Sequence, residues 1–120
     1  MAKILVVDDM ATDMEVICRS LNQGGHLVIR ASSAEEALEK ALDQLPDAVV
    51  TDISMPGQSG FELCRNLKNH ATTQNVPIVI CTSKDQTIDR MWAKKQGAQA
   101  YVVKPFEASL LLRAVQSVLG

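Results

Sequence analysis

Short apolar runs alternate along the whole chain with segments whose apolar residues recur at helical spacing. The runs Ile4–Val7, Leu27–Arg30, Ala48–Thr51, Ile78–Thr82 and Tyr101–Val103 are rich in β-branched residues and have the length of strands. Between the first two, Met14, Ile17, Cys18 and Leu21 fall at i, i+3, i+4 and i+7, one face of a helix that Gly24 and Gly25 end. Ser33 followed by Glu36 reads as a capping box for a second helix, with Ala37, Leu38, Ala41 and Leu42 on its inner face and Pro46 just beyond its end. A third helix is predicted from near Gly60, using Leu63, Cys64 and Leu67, and a fourth from about Gln86 to Gln96, stopped by Gly97. The last helix is Glu107–Leu119.

The first, third and fourth strands are apolar on both alternating faces, which parallel strands covered by helices on each side require. Five β-α units are too few for an eight-stranded barrel. The expected fold is therefore α/β, a doubly wound five-stranded parallel sheet flanked by five helices, with ligands at the carboxyl ends of its strands. At 120 residues, with neither repeat nor linker, the chain reads as one domain over residues 1–120.

Composition narrows the function classes. A 47% apolar content and a dispersed 22% charge suit a globular protein, and a net charge of −2 argues against nucleic acid as a partner. The longest apolar runs, "PIVIC" and "LLL", fall far short of the ~20 residues a membrane span needs. The short apolar start runs into Asp8 at once, unlike a secretory leader, so the expected compartment is the cytoplasm. Cys18, Cys64 and Cys81 lack metal-site or disulfide spacing and read as small core residues. His26 and His70 have no partner at ligand spacing and receive no role.

The ends of the predicted strands carry the chemistry: Asp8 and Asp9 after the first, Asp52 after the third, Thr82 and Ser83 after the fourth, Lys104 and Pro105 after the fifth. Two carboxylates about 4 Å apart repel by roughly 4 kcal/mol at an effective dielectric of 20, so something cationic must offset them. Lys104 can carry part of that load, and a hard divalent ion such as Mg²⁺ would complete it. Taken singly, each residue has a plainer reading. Asp8 and Asp9 could cap the following helix, Asp52 could belong to a turn before Pro56, Thr82 could be an ordinary strand residue and Lys104 a surface charge. Tyr101 could be half-buried packing, and Trp92 is expected against the sheet or the last helix.

In order and spacing, "VVDDM", "TDISMPGQSG", "VICTS" and "YVVKPF" resemble the signature stretches of response-regulator receiver domains, the CheY-like phosphoacceptor switches of two-component signalling. The likeness spans essentially the whole chain and implies the strand order 2-1-3-4-5. It also implies that Asp52 is the phosphoryl acceptor, that Asp9, Asp52 and the backbone carbonyl of Ser54 ligate Mg²⁺ (or Mn²⁺), and that Asp8 acts through metal-bound water. Lys104 would contact the phosphoryl group, Thr82 would turn inward to it afterwards, and Tyr101 would follow Thr82. The implied partners are a histidine kinase or phosphotransfer domain upstream and a protein docking on helix four, strand five and helix five downstream, the chain being a monomer or a weak phosphorylation-dependent dimer. The family also implies a cis Lys104–Pro105 bond. The residue before a proline is in any case biased to extended backbone, and Gly57 and Gly60 supply residues permissive of positive φ after the acceptor.

More narrowly, "KDQTIDRMWAKKQGAQAYVVKP" resembles the PilH-type regulators of twitching and phototaxis systems, which points to motility. Met10 departs from the small polar residue many relatives have after the acid pair, and Ser54 and Lys84 stand at positions that in the family modulate phosphoryl loss. In the last helix, Leu111, Val115 and Val118 form one stripe and Leu110 and Leu112 lie off it, more apolar surface than one buried face needs. With the sequence ending at Gly120, no output domain is expected, so output would be by docking, or the chain would be a phosphate sink. It would phosphorylate and dephosphorylate itself without being an enzyme in the usual sense. The competing classes are a flavodoxin-like cofactor binder, which needs phosphate-binding loops where this chain has acids, and a metal-dependent phosphohydrolase with an aspartyl nucleophile, whose usual D-x-D is absent.

Overall fold

The computed structural model describes residues Met1–Gly120. Its elements alternate strictly: β1 Lys3–Val7, α1 Ala11–Gln23, β2 Leu27–Ala31, α2 Ala34–Gln44, β3 Ala48–Thr51, α3 Gly60–Lys68, β4 Ile78–Thr82, α4 Thr87–Lys95, β5 Ala100–Val103 and α5 Ala108–Leu119. All five strands are parallel and lie in the order β2-β1-β3-β4-β5. The expected doubly wound sheet is therefore present, in the order the family resemblance implies.

The two-residue period of the strands divides the core between the two faces. Leu5, Val7, Val49, Ile78 and Ile80 point to the side of α2, α3 and α4, where they meet Ala37, Ala41, Leu63, Leu67 and Ala93. Ile4, Val6, Val50, Val79, Cys81 and Val102 point to the side of α1 and α5, where they meet Ile17, Leu21, Leu111 and Val115. The predicted cysteines are core residues, and burial pushes the thiols of Cys64 and Cys81 up to about 12, which keeps them neutral.

Several local expectations are corrected. The box at α2 is only half formed: Ser33 Oγ accepts from the Glu36 amide at 3.1 Å, but Glu36 Oε1 accepts from Ser32 N at 2.7 Å. Leu42 is exposed, and Ala34 shares the inner face with Ala37 and Ala41 instead, because Leu42 lies more than a quarter-turn from the middle of that stripe. A complete box caps α3, where Ser59 and Glu62 exchange bonds of 3.2 and 3.4 Å. Trp92 packs against neither the sheet nor α5; it is 46% exposed on the outer face of α4, with Lys95 Nζ 5.3 Å from its ring centroid. On α5, Leu112 is covered because it lies against Gly24 at the end of α1, and only Leu110 is left exposed.

Gly57 adopts the expected positive φ, but Gly60 does not. Gly60 is needed for space: a Cβ there would strike the carbonyl of Asp52, and its amide donates to Ile53 O at 2.9 Å. Leu45 ends α2 with φ +49 and is exposed, a left-handed conformation that costs a Cβ-bearing residue roughly 1 kcal/mol.

Leu45→Gly is expected to stabilise the fold by about 0.5–1 kcal/mol in urea unfolding, since little packing is lost. Gly60→Ala is expected to destabilise it by about 1–3 kcal/mol, because the backbone around the Asp52 carbonyl must shift. Chemical denaturation of the two variants beside the unchanged chain measures both.

Candidate functional site

Register places the acids. Val7 of β1 is paired with Thr51 of β3, so the next residue of each strand, Asp8 and Asp52, emerges side by side. The ladder runs on past the strands: the Asp8 amide donates to Ala31 O at 3.1 Å, and the Asp52 amide donates to Val7 O at 3.1 Å. Asp52 Oδ1 then accepts from the amides of Ile53 at 2.6 Å and Ser54 at 3.3 Å, which fixes the carboxylate plane and leaves Oδ2 facing the crevice.

Lys104 enters from the other side. Its amide donates to Thr82 O at 2.7 Å at the end of β4, and the Lys104–Pro105 peptide is cis. Its four-carbon stem carries Nζ across to β3 and β1, where it donates to Asp8 Oδ2 at 2.6 Å, Asp52 Oδ2 at 2.9 Å and Asp13 Oδ2 at 2.9 Å. The Asp8 side chain is fully buried and those of Lys104 and Asp52 are nearly so, whereas Asp13 is 41% exposed.

The site is short of positive charge. Burial alone would pull the Lys104 ammonium down, but its hydrogen bonds to Asp8, Asp13 and Asp52 outweigh that and hold it above its ordinary value. Burial pushes the Asp8 carboxyl up, and the bonds from Lys104 and the Met10 amide only partly reverse this. A single ammonium shared among three carboxylates thus does not repay Asp8 for its loss of water.

The remaining predicted residues are spread around this centre. Asp9 is exposed and lies outside the group formed by the Asp8, Asp13 and Asp52 carboxylates, whose oxygens fall within 4.8 Å of one another. Ser54 is exposed directly after the acceptor loop begins. Thr82 is 1% exposed at the end of β4, and its Oγ1 accepts from the Lys84 amide at 3.4 Å. Tyr101 is half-buried, donates its hydroxyl to Lys84 O at 2.8 Å and carries the Arg90 guanidinium 4.8 Å above its ring. It therefore ties β5 to the loop that begins after Thr82. Asp13, Val16, Ser83, Lys104, Pro105 and Phe106 line an open cavity of about 360 Å³.

Asp13 is the one contributor that reading the strand ends did not find. It comes from the first turn of α1, five residues after Asp8, and only a view of which helix face overhangs β1 would have pointed to it.

The donor set is chemically suited to a hard divalent ion: clustered carboxylate oxygens in charge excess. No helix of the chain is long and apolar enough to cross a membrane.

Residues 4–116 match the family model described as "Response regulator receiver domain". The chain is 40% identical over 120 residues to Protein PilH of Pseudomonas aeruginosa, covering 100% of this chain and 99% of that one. It is 35% identical over 117 residues to Response regulator PleD of Caulobacter vibrioides, covering 98% of this chain but 26% of that protein. Among solved structures, chemotaxis protein CheY4 of Vibrio cholerae superposes with a TM-score of 0.93 at 31% identity, covering 98% of each chain. With a clustered acidic pocket, a lysine reaching it from β5 and a doubly wound sheet beneath, the chain belongs to the response regulator receiver domain family of two-component signalling.

Proposed function

We propose that the chain is a phosphoryl-accepting switch in which Asp52 takes a phosphoryl group from a histidine kinase or phosphotransfer domain. The observation that carries this reading is the Asp52 carboxylate itself, with Oδ1 held by two backbone amides and Oδ2 turned to Lys104. Oδ2 attacks phosphorus, the bond to the donor's leaving group breaks, and the leaving group departs with the electron pair. Lys104 stabilises charge on the oxygens in flight. Asp9, Asp52 and the carbonyl of Ser54, with Asp8 acting through water, would hold Mg²⁺ or Mn²⁺. When bound, that ion supplies positive charge against the phosphoryl oxygens. The excess of three clustered carboxylates over one ammonium supports a bound cation at this site.

Phosphorylation replaces one negative charge by about two, with added acceptor oxygens. Thr82, buried at the end of the neighbouring strand, is the hydroxyl placed to answer, and the bond from Tyr101 to Lys84 O links that change to β5 and the β4–α4 loop. Inverting a 1:99 equilibrium between two conformations takes about 5.5 kcal/mol, within reach of a few charge-assisted hydrogen bonds.

The readout surface is α4, β5 and α5. Ile88, Met91 and Trp92 are exposed together on α4, and Leu110 is exposed on α5. Apolar side chains clustered on one helix face favour a docked protein partner. The same surface suits a weak dimer after phosphorylation. Likeness to PilH and to a chemotaxis protein favours a role in motility or taxis, in the cytoplasm.

Incubation with acetyl phosphate and Mg²⁺ is expected to add one phosphoryl group by intact mass, absent from Asp52→Asn and after chelation of the ion. Lys104→Met should slow its formation by about a hundredfold. Repeated turnover of phosphate esters without an adduct would favour a hydrolase instead. Trp92, the only tryptophan, gives a second readout. Its emission should change when beryllofluoride is added to the intact chain but not to Asp52→Asn, and the change should be weakened in Thr82→Ala.

A further inference from the structure

An ammonium has three N–H donors, and Lys104 uses one on each of three carboxylates. Nothing is left for a phosphoryl oxygen unless one partner yields. Asp8 is held in place: its side chain is fully buried, with Oδ2 on Lys104 and Oδ1 accepting from the Met10 amide at 2.9 Å. Asp52 is the acceptor itself. Asp13 is 41% exposed, on the first turn of α1, and water can replace its share of the ammonium.

We propose that Asp13 is a positioning residue that restrains Lys104 in the resting state and releases it when the phosphoryl group arrives. This rests on Asp52 being the acceptor. Once the P–O bond has formed, Oδ2 is a bridging oxygen without its carboxylate charge, and the new acceptors are the phosphoryl oxygens, farther out in the crevice. Lys104 must follow them, and the bond to Asp13 opposes that movement. Asp13 and Lys104 also line the same open cavity, together with Ser83 and Phe106. A dianionic donor approaching Oδ2 from that side meets its charge. Restraint of the lysine and repulsion of the donor act in the same direction, so Asp13 slows phosphorylation although it is an acid inside an acid-dependent site.

The test follows phosphorylation of the full chain by acetyl phosphate at saturating Mg²⁺, using intact-mass time courses of the unchanged protein, Asp13→Asn and Asp13→Glu. Asp13→Asn is expected to react about three- to tenfold faster, after discount for the exposure of the pair, mainly through a lower half-saturating donor concentration. Asp13→Glu, which restores the carboxylate, should return toward the unchanged rate. Independently of any phosphodonor, ¹⁵N spectra of the Lys104 ammonium should show faster exchange of its protons with solvent in Asp13→Asn and slower exchange in Asp13→Glu. An Asp13→Asn rate equal to or below that of the unchanged chain, or unaltered ammonium exchange, would overturn the proposal. Failure of the unchanged protein to take up a phosphoryl group would overturn the acceptor reading instead, and the exchange measurement would still decide whether Asp13 restrains Lys104.

Discussion

One ammonium group shared among three carboxylates is the interaction on which the rest of this structure depends. Burying Asp8 and Asp52 side by side at the ends of two paired strands is costly, because each carboxylate loses water and faces the other's charge. Lys104 lowers that cost without removing it, which is why the Asp8 carboxyl is still pushed up. Close charges in so little water interact strongly with any further charge brought near them.

The scaffold holds this arrangement rigidly. The in-register pairing of β1 with β3 sets the separation of the acids, and the ladder bonds from Asp8 and Asp52 extend that control one residue beyond each strand. Gly60 lets the start of α3 lie directly against the Asp52 carbonyl, and Ser59 and Glu62 cap the helix there. Both faces of the sheet are filled with close-packed aliphatic side chains, so a shift at the strand ends is not absorbed by the core. The loop after Thr82 is tied to β5 instead, where the Tyr101 hydroxyl holds Lys84 O.

Legibility in the sequence differed by kind of residue. Strand positions were read almost to the residue, because continuous apolar runs such as Ile78–Thr82 admit few other environments. Helix faces were less certain. Leu42 and Ala34 exchanged roles, and Trp92 was expected inside but lies outside, because an amphipathic stripe fixes a helix's inner face only to within a residue or so. Gly60 was marked as special for the wrong reason: a need for space cannot be told from a need for positive φ without the neighbouring chain.

By itself the sequence determined the alternation of strands and helices, the parallel sheet and the placing of acids, a hydroxyl and a lysine at strand ends, since local periodicity and hydrophobicity are properties of the chain. Only the tertiary structure decided which carboxylates meet the ammonium. Asp9, adjacent to Asp8 in sequence, points away to solvent, while Asp13, five residues on, reaches Lys104 at 2.9 Å. The physical reason is the change of backbone at Met10: successive residues of an extended segment point to opposite sides, and one turn of helix brings the next acid back over the strand end.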